Sequence, residues 1–108
     1  MNPAQRRVVF RREALAQLDE LYDYVAVAGS PQIAADLIDA IVMFCEDLAP
    51  FPMRGTARDD IRPGLRTIGF RRRAVVAFVV RDDAVVVLGV FYGGRDYEPM
   101  LRSEDLRD

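Results

Sequence analysis

Between Glu13 and Leu48 the apolar residues recur at three- and four-residue steps, and the pattern breaks only once, at Ala28-Gly29-Ser30-Pro31. Ala14, Leu15, Leu18, Leu21, Tyr22 and Val25 form the first stripe. Ile33, Leu37, Ile41, Phe44 and Leu48 form the second, widened by Ala34, Ile38 and Cys45. Stripes of this period are the mark of amphipathic helices, here expected over 13–28 and 31–48. Ser30 is placed to cap the second helix, with Pro31 at its first position, where a missing N–H costs nothing. Pro50 and Pro52 stop it. So short a link makes the two helices antiparallel neighbours. Leu18, Leu21, Ile41 and Phe44 are expected in the core, and Tyr22 with them.

The remainder reads as strands. Val8, Val9 and Phe10 make a short one near the start. A loop with three prolines and two glycines occupies 50–64. Leu65 to Phe70 is a further strand, and Arg73–Val80 and Ala84–Tyr92 are β-branched and aromatic runs flanking the turn Arg81-Asp82-Asp83. The order β-α-α-β-β-β implies an α+β fold, an antiparallel β-sheet packed on one face by an antiparallel helical hairpin. With 108 residues the chain fits one domain, 1–108. The last two strands are apolar at nearly every position, hence on both faces. A single hairpin covers one face, so the other is expected to stay open and to mark a protein-interaction site.

Charge is segregated behind a net value of −2. Residues 13–50 hold eight acids and no arginine, whereas 54–81 hold eight arginines against two aspartates. All 15 basic residues are arginine, with no lysine and no histidine. The chain therefore lacks the side chains most used as a general base near neutrality, and the commonest metal ligand. Cys45 is the only cysteine, which excludes an internal disulfide, and its apolar setting reads as packing. The glycines show no phosphate-loop spacing and the acids no metal-ligand clustering, so neither cofactor nor metal is expected. No apolar run reaches the length that spans a bilayer or forms a signal-peptide core, so the expected location is the cytoplasm, with no membrane partner.

Several strings, in order over residues 8–101, resemble the ParE/RelE toxin family. "FRREALAQLDELYDYVAVAGSPQIAADLIDAI" is similar to its first strand, acidic helix, glycine-serine break and second helix. "PFPMRG" resembles the loop that follows, "DDIRPGLRTIGF" the entry to the sheet, and "VVVLGVFYGGRDYEPML" the last strand and tail. The resemblance implies the same fold and a place in a type II toxin–antitoxin pair. ParE-type members act on DNA gyrase by protein contact, RelE-type members cut messenger RNA on the ribosome, and a co-expressed antitoxin holds either inactive.

The partner-binding candidates are Arg62, Arg66, Arg71, Arg73 and Arg81, a basic rim for an acidic, amphipathic antitoxin tail. The plainer reading gives these arginines to solubility and to pairing with the acidic helices. Read along a strand, Arg71 and Arg73 share a face and Arg72 points the other way. If the chain is a nuclease, Arg81, Tyr92 and Arg95 are the catalytic candidates, and otherwise there are none. Tyr92 stands where many relatives carry histidine, and a tyrosine is a poor base at neutral pH. The leading expectation is thus a ParE-like toxin that inhibits gyrase by binding it, in a hetero-oligomer with its antitoxin and without specific DNA binding of its own. A RelE-like endoribonuclease is the alternative. A non-toxic member that serves only as an antitoxin-binding subunit is the third reading.

Overall fold

A computed structural model describes residues 6–93 and Leu101. The elements are β1 (Arg7–Phe10), α1 (Arg12–Ala28), α2 (Pro31–Glu46), β2 (Thr56–Ala57), β3 (Leu65–Phe70), β4 (Ala74–Val80) and β5 (Ala84–Tyr92). The strands form one five-stranded sheet in the order β1-β5-β4-β3-β2. β2 through β5 pair antiparallel in sequence order, whereas β1 lies parallel to β5, Arg7 opposite Ala84 and Phe10 opposite Val87. The expected α+β architecture is therefore present, with an added two-residue edge strand and one parallel pairing. β1 leads directly into the hairpin, so it has no sequence neighbour with which to form a β-hairpin and docks beside the last strand instead.

The hairpin forms where the stripes place it. The Ser30 hydroxyl oxygen accepts the Ile33 N–H at 3.1 Å, and Pro31 opens α2. The Gly29 N–H donates to the Val25 carbonyl at 2.8 Å and closes α1. Ala14, Leu18 and Leu21 from α1 meet Ile41, Cys45 and Leu48 from the second helix and its terminal turn. They pack against Phe70, Ala74, Val76, Phe78, Val85, Val87 and Val90 of the sheet. Two core assignments need correction. Tyr22 stays 36% exposed, because its position lies on the flank of the α1 stripe. Phe44 is only partly buried, its ring edge-on to Phe70 at 5.2 Å between centroids.

The far face of the sheet is not open. Leu65, Ala77, Val79, Leu88 and Phe91 are buried there beneath Ile61 and Leu101, which are themselves 8% and 0% exposed. The expectation of a bare apolar face is thereby overturned. Ile61 comes from the segment read as a plain connection, and Leu101 adds to the cover. Residues 58–65 fold into a compact turn held by Ile61 N–H to Arg58 O at 3.0 Å, Arg58 N–H to Leu65 O at 2.8 Å, and Gly64 N–H to the Asp59 carboxylate at 2.9 Å.

Candidate functional site

The five arginines read as one rim lie at opposite ends of the sheet. Arg71 and Arg73 sit at the β3–β4 turn. Arg81 sits at the β4–β5 turn, and Arg66 pairs across from Phe78 near that same end. Seven β4 residues at about 3.3 Å each separate the two groups by roughly 20 Å. Arg62 belongs to the turn that covers the far face. The single rim is therefore corrected to two groups.

The group at the Arg81 end is tied into the fold. The Arg66 guanidinium donates to the Arg54 carbonyl at 2.9 Å. Arg54 in turn donates to the Phe51 carbonyl at 2.9 Å and to the Asp47 carbonyl and carboxylate. Arg58 makes a two-pronged pair with Asp60, at 3.0 and 2.9 Å. The Arg81 carbonyl accepts from Arg6 at 2.8 Å. These contacts hold the loop after α2 and the closing turn, so Arg66 is a clamp on the fold.

The other end is built differently. Arg71, Arg72 and Arg73 do not lie along a strand, because Phe70–Arg73 is a tight turn closed by Arg73 N–H to Phe70 O at 3.1 Å. The alternation expected for the three arginines is corrected accordingly. Arg71 and Arg72 have φ of 50° and 59°, the left-handed pair that a type I′ turn requires. Asn-Gly is the usual occupant, and a bulky side chain there costs about 1–2 kcal/mol per residue. Strain of this kind concentrates where side chains are needed for function. The Arg71 guanidinium lies 4.9 Å from the centroid of the Phe70 ring, a cation–π contact. Arg71, Arg72 and Arg73 form no ion pair among the described residues.

Arg71 and Arg73 overlook a groove, whereas Arg72 lines a separate hollow with Val75 and Phe91. One hollow of about 590 Å³ runs between the end of α1, the start of α2 and the turn, lined by Tyr24, Val25, Ile33, Leu37, Phe70, Arg71, Arg73 and Tyr92, with Asp36 at its edge. A second of about 520 Å³ continues along α1 past Gln17, Glu20 and Leu21 to Val90 and Gly93. Its exposed apolar surface is considerable, Tyr24 being 70% and Ile33 56% exposed. The Gly93 N–H donates to the Arg73 carbonyl at 3.0 Å and pins the turn to the end of β5, with Gly93 at φ 78°. The groove is thus an apolar floor with an arginine bank. Sequence reasoning found Arg71, Arg73 and Tyr92 but did not bring Tyr24 and Ile33 to them. Tyr24 was discernible as an aromatic off the apolar stripe.

The nuclease set does not converge. Arg81 and Tyr92 are at opposite ends of β5, whose nine residues extend roughly 25–30 Å. Arg95 lies outside the described residues. Among those described, no cluster of acids, cysteine or histidine can hold a metal ion.

A family model for "ParE toxin of type II toxin-antitoxin system, parDE" matches residues 8–97. The chain belongs to the ParE toxin family. It is 28% identical over 81 residues to Toxin ParE3 of Caulobacter vibrioides, covering 75% of this chain and 81% of that one. It also superposes on a chain from the chromosomal ParDE toxin–antitoxin system of P. aeruginosa, with a TM-score of 0.72 and 25% identity, covering 83% of this chain and 98% of that one. This ParE-family toxin has, among its described residues, no helix long and apolar enough to cross a membrane.

Proposed function

We propose that this toxin acts by protein–protein contact on DNA gyrase, and that a cognate antitoxin neutralises it by laying an acidic, amphipathic tail into the groove between α1, α2 and the Arg71–Arg73 turn. The observation that carries the reading is the pair Arg71 and Arg73 beside the apolar side chains of Tyr24, Ile33 and Leu37, with Arg71 held in a strained left-handed turn. An apolar strip beside arginines that form no ion pair among the described residues suits a segment that alternates apolar and acidic residues. Such a tail would be disordered when free and would fold on the groove. The toxin and its antitoxin would form a hetero-oligomer in the cytoplasm.

A proteinaceous mode of action is favoured over RNA cleavage by two features. The chain has no histidine or lysine to move a proton at neutral pH, and Arg81 is a strand's length from Tyr92. One observation favours the RelE-like alternative: Arg73 and Tyr92 share a groove wall, where they would contact a phosphate and a ribose.

The deciding experiment has two arms. Purified toxin is added to a gyrase supercoiling assay, and to ribosomes translating a defined message. Blocked supercoiling with intact message is expected. Cleaved message with normal supercoiling would move the assignment to the nuclease. Inactivity in both assays, with tight antitoxin binding, would leave the antitoxin-binding role alone.

A further inference from the structure

We infer that Gln17 is a positioning residue that decides on which face of β5 Tyr92 emerges, and so builds one wall of the groove. Strand residues alternate between faces, and a slip of one residue exchanges them all. Val85 and Val87 lie on the helix side of the sheet. Unbroken alternation would put Gly89 and Phe91 on that side and Tyr92 on the other. Instead Val90 belongs to the helix-side cluster with Tyr92 packed against it, and Phe91 is buried in the opposite one.

The exchange happens at a bulge. Phe78 pairs with Val87 and Ala77 with Gly89, so Leu88 is an extra residue on β5. A bulge interrupts the ladder, and each freed backbone group needs another partner. β1 cannot supply one, because its pairing ends with Phe10 opposite Val87. The Gln17 side chain does so. Its amide oxygen accepts the Val90 N–H at 2.7 Å, from a helix 73 residues earlier in the chain. Gly89 makes room for the arrangement. A Cβ there would lie 2.6 Å from the Phe91 ring and 3.2 Å from the Gln17 amide oxygen. Gln17, Val90 and Tyr92 line the same hollow, so the clamp lies inside the groove wall it organises. The regular alternation that competes with the bulge would carry Tyr92 to the far face and bring Phe91 toward the helices.

The test is fluorine NMR on protein labelled with 3-fluorotyrosine, joined to amide hydrogen exchange at Val90. Four tyrosines give four resonances, and Tyr92→Phe identifies the one of interest. In Gln17→Leu the Tyr92 resonance is expected to move or split while that of Tyr22 stays, and Val90 exchange is expected to accelerate by about tenfold or more. Gly89→Ala is expected to move the same resonance. Gln17→Glu keeps an acceptor oxygen at the same reach and should preserve the wild-type spectrum. Should Gln17→Leu be too unstable to study, Gln17→Asn, shorter by one methylene, serves in its place. A folded Gln17→Leu or Gln17→Asn protein with an unchanged Tyr92 resonance and unchanged Val90 protection overturns the inference. So does a Gln17→Glu spectrum that matches Gln17→Leu. The readout is independent of what docks in the groove, so its failure is distinct from failure of the proposed function.

Discussion

The two ends of the sheet use the same side chain for opposite purposes. Near the β4–β5 turn, Arg54, Arg58 and Arg66 are engaged with carbonyls and carboxylates of their own chain. At the β3–β4 turn, Arg71, Arg72 and Arg73 have no ion pair among the described residues, and two of them occupy a strained backbone. A cluster of arginines in a sequence is therefore not one surface. What separates the groups is whether a loop carbonyl lies within reach, and the 47–66 segment folds back to provide several. From the acidic helical segment, Asp47 reaches Arg54 at 3.4 Å.

The comparison can be broken most sharply with two isoleucines. Ile61 closes the far face at the engaged end, and Ile33 is 56% exposed in the groove. Ile61→Ala is expected to cost about 2–4 kcal/mol in urea denaturation, the usual range for a buried isoleucine. Ile33→Ala is expected to change stability by less than about 0.5 kcal/mol. Equal losses would mean that the groove is as closed as the core.

The clamp comes next. Arg66→Ala removes a part-buried charged hydrogen bond to the Arg54 carbonyl. It should cost about 1.5–3 kcal/mol, with the rate of antitoxin association unchanged. A change in association rate without a loss of stability would return Arg66 to the binding surface.

At the strained turn the signs reverse. Replacing Arg71-Arg72 by Asn-Gly relieves two left-handed bulky residues and should stabilise the fold by about 1 kcal/mol. The same variant should slow antitoxin association about tenfold and flatten its salt dependence, through loss of steering charge. Stabilisation with unaltered association, followed in stopped-flow at two salt concentrations, would remove these arginines from the proposed interface.

The smallest effect expected at neutral pH concerns Cys45. Its burial, reinforced by the charge of Glu46, pushes the thiol up to about 12 from an ordinary 9.0. The folded state then holds the proton more tightly than the unfolded state, so the contribution is complete below pH 9 and declines as pH rises from about 9 to about 12. Relative to Cys45→Ala, the wild-type protein should lose stability more steeply across that window. Parallel profiles would show that the thiol ionises without hindrance.

Local patterns were legible where neighbours in sequence are also neighbours in space. Leu18, Leu21 and Ile41 follow from a period of three and four, the Ser30 cap from one hydroxyl before a proline, and β3, β4 and β5 from their β-branched runs. Of the groove, Arg71, Arg73 and Tyr92 were in view, but their meeting with Tyr24 and Ile33 was not. That meeting depends on how the hairpin lies over the sheet.

By itself, then, the sequence determined both helices and the four longer strands, their order, most of the helix-facing core and the family resemblance, because each rests on contacts within a few residues or on an ordered string. Only the tertiary structure decided the rest. It set β1 beside β5, folded Ile61 over a face expected to be open, turned Arg71 and Arg72 into a left-handed pair, and exchanged the faces of β5 at Leu88. Each of these is settled by a partner distant in the chain, such as the Gln17 oxygen on the Val90 N–H. A partner of that kind leaves no period in the sequence, since its position depends on where the backbone has already been carried by packing.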